Sequence, residues 1–124
     1  MIPEKRRMLI VEDEADALEL IQWWIEGQGW DVRTAQRGQA AVEIGKAFKP
    51  DFLITDYFLQ DDVNGVEVIE QLRTSDPNLH CVLVTGLLGH SLKSETHRLH
   101  NVPILAKPFD FHRLEELISA SATP

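Results

Sequence analysis

The chain has no second cysteine, no long apolar run and no excess of basic charge, and each absence removes a class of function. Cys81 stands alone, so no internal disulfide forms, and its neighbours Val82, Leu83 and Val84 mark it as a small buried residue rather than a nucleophile. That usage fits a reducing compartment. The apolar run Met8 to Val11 is too short for a signal-peptide core or a membrane span, so a cytoplasmic protein without a membrane anchor is expected. A net charge of -8 argues against nucleic-acid binding, which needs a basic face that displaces counterions. Lys5, Arg6 and Arg7 form the only basic run and read as a solvated flank. No linker, repeat or low-complexity segment interrupts the chain.

What is present fits one domain spanning 1–124, with a core of about 8–120, a short flank before it and a tail from Ser119 to Pro124. A chain of this size buries roughly two thirds of the surface its unfolded form exposes, which is enough for a core without staples. Composition is ordinary for a globular protein, with 44% hydrophobic and 26% charged residues, and excludes disordered and fibrous classes.

Short apolar runs alternate with amphipathic stretches. Met8 to Val11, Val32 to Ala35, Phe52 to Thr55, Cys81 to Thr85 and Ile104 to Ala106 predict strands of the kind covered on both faces. Between them Leu18, Ile21 and Ile25, then Gly65, Val68, Ile69 and Leu72, then Phe111, Leu114 and Ile118 recur at helical spacing. Gly27 and Gly29 stop the first helix, Lys49-Pro50-Asp51 ends the second, and Asp110 stands where an N-cap opens the last. Five βα repeats predict an α/β domain, a parallel sheet with right-handed crossovers and helices on both faces.

Open sheets of this kind bind ligands beyond the carboxyl ends of their strands. Glu12 and Asp13 follow the first strand, Asp56 ends the third, Thr85 the fourth and Lys107 the fifth. Carboxylates gathered there repel one another by about 4 kcal/mol per pair at a roughly 4 Å separation and an effective dielectric of about 20. A cation must share the site. Magnesium fits, as a hard ion that takes oxygen ligands and bridges carboxylates to phosphate, and Lys107 adds a second positive charge. With both in place Asp56 becomes a nucleophile toward phosphorus, and the Thr85 hydroxyl can hydrogen-bond a newly arrived phosphoryl oxygen.

The ordered set Glu12-Asp13, Asp56, Thr85 and Lys107-Pro108-Phe109 resembles the response-regulator receiver domain, over Met8 to about Ala120. The resemblance implies a flavodoxin-like doubly wound fold with strand order 2-1-3-4-5. It implies a phosphoryl-accepting switch of a two-component or phosphorelay system rather than an enzyme acting on outside substrates. The implied donor is a phosphohistidine on a sensor histidine kinase or histidine phosphotransfer protein. The implied cofactor is magnesium, bound by Asp13, Asp56 and the Phe58 backbone carbonyl, with Glu12 acting through metal-bound water. Asp56 is then the phosphoacceptor, Lys107 pairs with the phosphoryl group, Thr85 reads its arrival, and the Lys107-Pro108 bond is cis. The recipient of the signal is an unnamed effector protein or domain, since none follows the last helix; the chain reads as a stand-alone receiver or part of a longer regulator or hybrid kinase.

Each residue has a plainer role open to it. Asp56 fits a helix cap, Thr85 a strand end and Lys107 a solvated charge, but separate causes do not gather all of them at one sheet edge. A receiver-shaped interaction module that works without phosphorylation stays as the alternative. A flavodoxin-type binder needs a Ser/Thr/Gly-rich loop where Glu12-Asp13-Glu14 stands. A haloacid-dehalogenase-type phosphatase needs an acid two residues after its nucleophile, where this chain has Phe58.

Several positions depart from the family pattern. Ile104 replaces an aromatic that usually swings inward, and a β-branched side chain has no ring to swing. Output is therefore expected through Gly86 to Gly89 and the following helix, and a homodimer through the Ile104 face loses its usual anchor. Gln60 stands where Pro is common, in a loop one residue longer than in many relatives. Apolar Phe58 and Leu87 flank the approach of water, which predicts a slowly hydrolysing phosphoaspartate. Trp30 reads as core; Trp23 lies off the apolar stripe, with exposure and an interface role open to it, and reads as partly packed over the first helix; Leu87 and Leu88 read as helix packing or a partner surface. His90, His97 and His100 read as a solvated helix face rather than a metal site.

Overall fold

The computed structural model describes residues 5–86 and 99–121. Five strands, β1 (Arg7–Val11), β2 (Asp31–Ala35), β3 (Phe52–Asp56), β4 (His80–Thr85) and β5 (Ile104–Ala106), form one parallel sheet in the order β2-β1-β3-β4-β5. The described helices are α1 (Ala15–Gly27), α2 (Gly38–Phe48), α3 (Gly65–Ser75) and α4 (Phe111–Ser121). The predicted α/β architecture and strand order are both present. Sequence boundaries differ from these by at most one residue at each strand end.

Two cores lie on opposite faces of the sheet, because successive strand residues point to opposite sides. Met8 and Ile10 of β1 join Phe52, Ile54, Val82 and Val84 under α1 and α4, while Leu9 and Val11 join Leu53, Cys81 and Leu83 under α2 and α3. The predicted stripe Leu18, Ile21 and Ile25 is buried, as are Gly65, Val68, Ile69 and Leu72; Leu114 is the buried member of the last stripe.

The helix ends follow local chemistry. Asn64 and Glu67 form a reciprocal capping box at the start of α3. The Arg113 backbone N–H donates to Asp110 Oδ1 at 2.8 Å, as the N-cap reading of Asp110 requires. Lys49 ends α2 in the left-handed region at φ 56°, and Gly29 turns the chain into β2 at φ 95°.

Three expectations change. Arg6 and Arg7 are not a free flank: Arg6 lies 4.5 Å over the Trp30 ring, while Arg7 belongs to β1 and donates from its side chain to the Phe48 carbonyl at 3.0 Å. Flat guanidinium groups gain more from an aromatic face and a free helix-end carbonyl than from water alone. The tail begins later than Ser119, because α4 runs to Ser121, whose hydroxyl donates to the Ile118 carbonyl at 2.6 Å. Trp23 is 72% exposed rather than partly packed, since it lies opposite the buried stripe. Its neighbour Trp24 does the packing, stacked on Phe111 with ring centroids 4.9 Å apart. Trp30 is core, as expected. Leu87, Leu88, His90 and His97 lie outside the described residues, as do most of the 86–89 loop and the helix expected after it. His100 is exposed.

Candidate functional site

Sheet register decides which polar residues meet. Val11 of β1 is level with Thr55 of β3, Asp56 with Val84 of β4, and Thr85 with Ala106 of β5. The chain therefore leaves the sheet at one edge with Glu12, Asp56, Thr85 and Lys107 within two residues of each other in register. Backbone bonds tie this edge together: the Tyr57 N–H donates to the Val84 carbonyl at 2.9 Å and the Lys107 N–H to the Thr85 carbonyl at 2.8 Å. Lys107-Pro108 is cis.

Carboxylate oxygens of Glu12, Asp13 and Asp56 lie within 4.8 Å of one another. Glu12 and Asp56 are buried, as is Thr85, while Asp13 is partly exposed. The Lys107 ammonium bridges the two buried carboxylates, donating to Asp56 Oδ2 at 2.9 Å and to Glu12 Oε1. The sequence placed Lys107 at this edge but not its pairing with Glu12. No local spacing signals it, since the two are 95 residues apart in the chain.

Glu12 and Lys107 are shifted from their ordinary values. Burial pushes the Glu12 carboxyl up to about 7, with the neighbouring Asp56 adding to the rise and Lys107 opposing it. Burial works against the Lys107 ammonium, but Asp56 and Glu12 outweigh it and raise its pKa above the ordinary lysine value. Glu12 Oε2 is buried with no hydrogen-bond partner among the described residues. An orphaned carboxylate oxygen beside an all-oxygen donor set fits a hard divalent cation such as magnesium.

Two loops frame the site. Gly65, first in α3, donates its N–H to the Tyr57 carbonyl at 2.9 Å, and a Cβ at this position would stand 2.2 Å from the Asp56 carbonyl oxygen. Only a glycine permits that approach. Phe58, expected to offer its carbonyl to a metal, has a ring 52% exposed and in edge contact with Tyr57 at 4.8 Å. An open apolar cavity of about 380 Å³, lined by Glu12, Ala17, Leu20, Lys107, Pro108 and Phe109 among others, adjoins the lysine.

The family model described as the response regulator receiver domain matches residues 8–119. Among curated relatives, the probable transcriptional regulatory protein TcrX of Mycobacterium tuberculosis is 31% identical over 79 residues, 64% of this chain and 33% of its own length. The cell cycle transcriptional regulator CtrA of Caulobacter vibrioides is 26% identical, over 83% of this chain and 44% of its own. This chain thus spans well under two thirds of these relatives. Among solved structures, a response regulator receiver protein from Sinorhizobium medicae is 26% identical with a TM-score of 0.85, covering 95% of this chain and 94% of that one. The Vibrio cholerae chemotaxis protein CheY4 has the same fold at 19% identity, with a TM-score of 0.85 over 95% of this chain and 99% of that one.

Proposed function

The chain belongs to the response regulator receiver family of two-component systems, and from that premise we propose that it is a phosphoryl-accepting switch in which Asp56 takes a phosphoryl group from a partner phosphohistidine. The observation that carries the reading is the Lys107 ammonium held between buried Asp56 and Glu12 at the level strand ends. In the transfer a carboxylate oxygen of Asp56 attacks phosphorus, the new O–P bond forms as the P–N bond breaks, and the imidazole leaves with the bonding electrons. Lys107, already 2.9 Å from Asp56, stays beside the incoming phosphoryl oxygens and offsets their charge.

Asp13, Asp56 and the Phe58 carbonyl would hold magnesium, with Glu12 contributing through metal-bound water. When bound, the ion supplies charge neutralisation on the phosphoryl oxygens and orients the donor. Thr85, buried one strand away from Asp56, reads the product by hydrogen-bonding a phosphoryl oxygen. The donor in this reading is a sensor histidine kinase or histidine phosphotransfer protein, the recipient of the signal an effector protein or domain, and the compartment the cytoplasm. No described helix is long and apolar enough to cross a membrane. The catalysis is confined to the chain's own phosphorylation and slow autodephosphorylation, slow because apolar Phe58 flanks the path of water.

The test is intact mass after incubation with magnesium and acetyl phosphate. A single phosphoryl adduct is expected on wild type, absent from Asp56→Asn and absent when the metal is chelated. A folded wild type without adduct would refute the switch and favour a module that works by binding alone.

A further inference from the structure

Helix α2 opens without a cap of its own. Arg37 stands at its N-cap position and makes no side-chain capping bond, so the first amides of the helix need an acceptor from elsewhere. Asp61, from the loop that follows Asp56, supplies it: Oδ1 accepts from the Gly38 N–H and Oδ2 from the Gln39 N–H, both at 2.9 Å. A carboxylate there also suits the positive end of the helix dipole. Burial pushes the Asp61 carboxyl up, but the amides of Gln39, Gly38, Val63 and Asp61 itself outweigh it and hold the group below its ordinary value.

The neighbours of Asp61 are fastened too. Val63 approaches the helix start so closely that a Cβ on Gly38 would meet the Val63 carbonyl oxygen at 2.2 Å. The Gln60 side-chain amide donates to the Asp13 carbonyl at 3.3 Å, and Gln36, just before α2, reaches the same oxygen at 3.4 Å. Residues 60–63 are thereby pinned to α2 and to the loop that carries Asp13. The other end of the same loop carries Asp56 and Phe58.

We propose that Asp61 is a positioning residue for the metal site: by capping α2 from across the fold, it holds the 57–64 loop, and with it the Phe58 carbonyl and Asp13, in the arrangement that binds magnesium. The inference rests on the metal reading above. The Phe58 ring is half exposed, so packing of that side chain does little to place its carbonyl. The bond from the Gly65 N–H to the Tyr57 carbonyl and the Asn64 capping box secure the loop at its ends. Asp61 secures its middle.

The test is titration with magnesium alone, followed by the backbone amide shifts of Asp13 and Phe58 at a temperature where every variant is folded. Asp61→Ala is expected to weaken magnesium about tenfold, the low end of what losing outer-sphere support costs a metal site. Asp61→Asn keeps one of the two acceptors while removing the charge, and should recover part of that loss. Asp62→Ala removes the same charge from the exposed neighbouring side chain and should bind as wild type does. Hydrogen exchange at Gly38 and Gln39 should slow on adding magnesium to wild type and not to Asp61→Ala, a coupling that a merely stabilising cap would not show. Wild-type affinity in Asp61→Ala would overturn the clamp while leaving the metal site standing. A matching loss in Asp62→Ala would overturn it in favour of simple charge. A wild type that binds no magnesium at Asp13 and Phe58 would sink the metal reading and the clamp with it.

Discussion

Replacing Gly65 by alanine sets two effects of opposite sign against each other. Helix propensity favours alanine by up to about 1 kcal/mol, less at the first residue of a helix than in its interior. Against this, the new Cβ would stand 2.2 Å from the Asp56 carbonyl oxygen, 2.9 Å from its carbonyl carbon and 3.0 Å from Leu83 Cδ1. About 1 Å of separation must be found, given ordinary non-bonded contacts of roughly 3.5 Å. The obstructing atoms are backbone of β3, which is paired on both sides and buried along its length, so they do not yield as a side-chain tip does. Overpacking of this kind costs about 1–3 kcal/mol, leaving a net loss of about 2 kcal/mol. With a urea slope of about 2 kcal/mol per molar, the midpoint followed by tryptophan fluorescence should fall by about 1 M. Gly45→Ala is the control, because its Cβ would meet the ends of the Leu72 side chain at 2.7 Å, and the propensity gain offsets a rotamer adjustment. Its midpoint should stay close to wild type. Displacing the backbone of Asp56 should also slow its phosphorylation by acetyl phosphate, by about 100-fold if the shift approaches 1 Å. A Gly65→Ala midpoint at or above that of wild type would refute the reasoning, as would equal losses at both glycines.

Asn64→Ala removes the side-chain acceptor of the Glu67 N–H in the α3 capping box, leaving the return bond from the residue 64 N–H to Glu67, and should cost about 1 kcal/mol in urea unfolding, with no change in slope. Asp61 has a folded-state pKa below its ordinary 3.8, so its contribution is present above that pH and is lost as pH falls through the folded value. The stability gap between wild type and Asp61→Asn, measured by urea at pH 6 and at pH 3, should therefore shrink in acid; a gap that widens would contradict the cap. Burial pushes the Cys81 thiol up to about 12. A thiol-reactive chromogenic disulfide should leave native Cys81 unlabelled and react fully once urea unfolds the chain.

The strands, the helical stripes and the polar residue at each strand end were legible in the sequence, because each rests on a local signal. Periods of two and of 3.6 residues, a stop such as Lys49-Pro50 and an N-cap such as Asp110 act within a few positions, whatever the rest of the chain does. Trp23 marks the edge of that legibility: periodicity put it off the buried stripe, but only the approach of α4 decided that Trp24 would stack on Phe111 and leave Trp23 in solvent. Arg6 and Arg7 show the same limit, for their aromatic and carbonyl partners arrive from Trp30, just before β2, and from the end of α2 once the sheet closes. The site divides likewise. That Glu12, Asp13, Asp56, Thr85 and Lys107 share an edge followed from strand order. That Lys107 sits between Glu12 and Asp56, that Glu12 Oε2 is left without a partner among the described residues, and that Asp61 caps a helix 22 residues upstream in the chain were decided by register and loop path. Sequence periodicity reports how a segment sits on its own axis; contacts between distant segments depend on how the whole chain closes, and buried charge is set by those contacts.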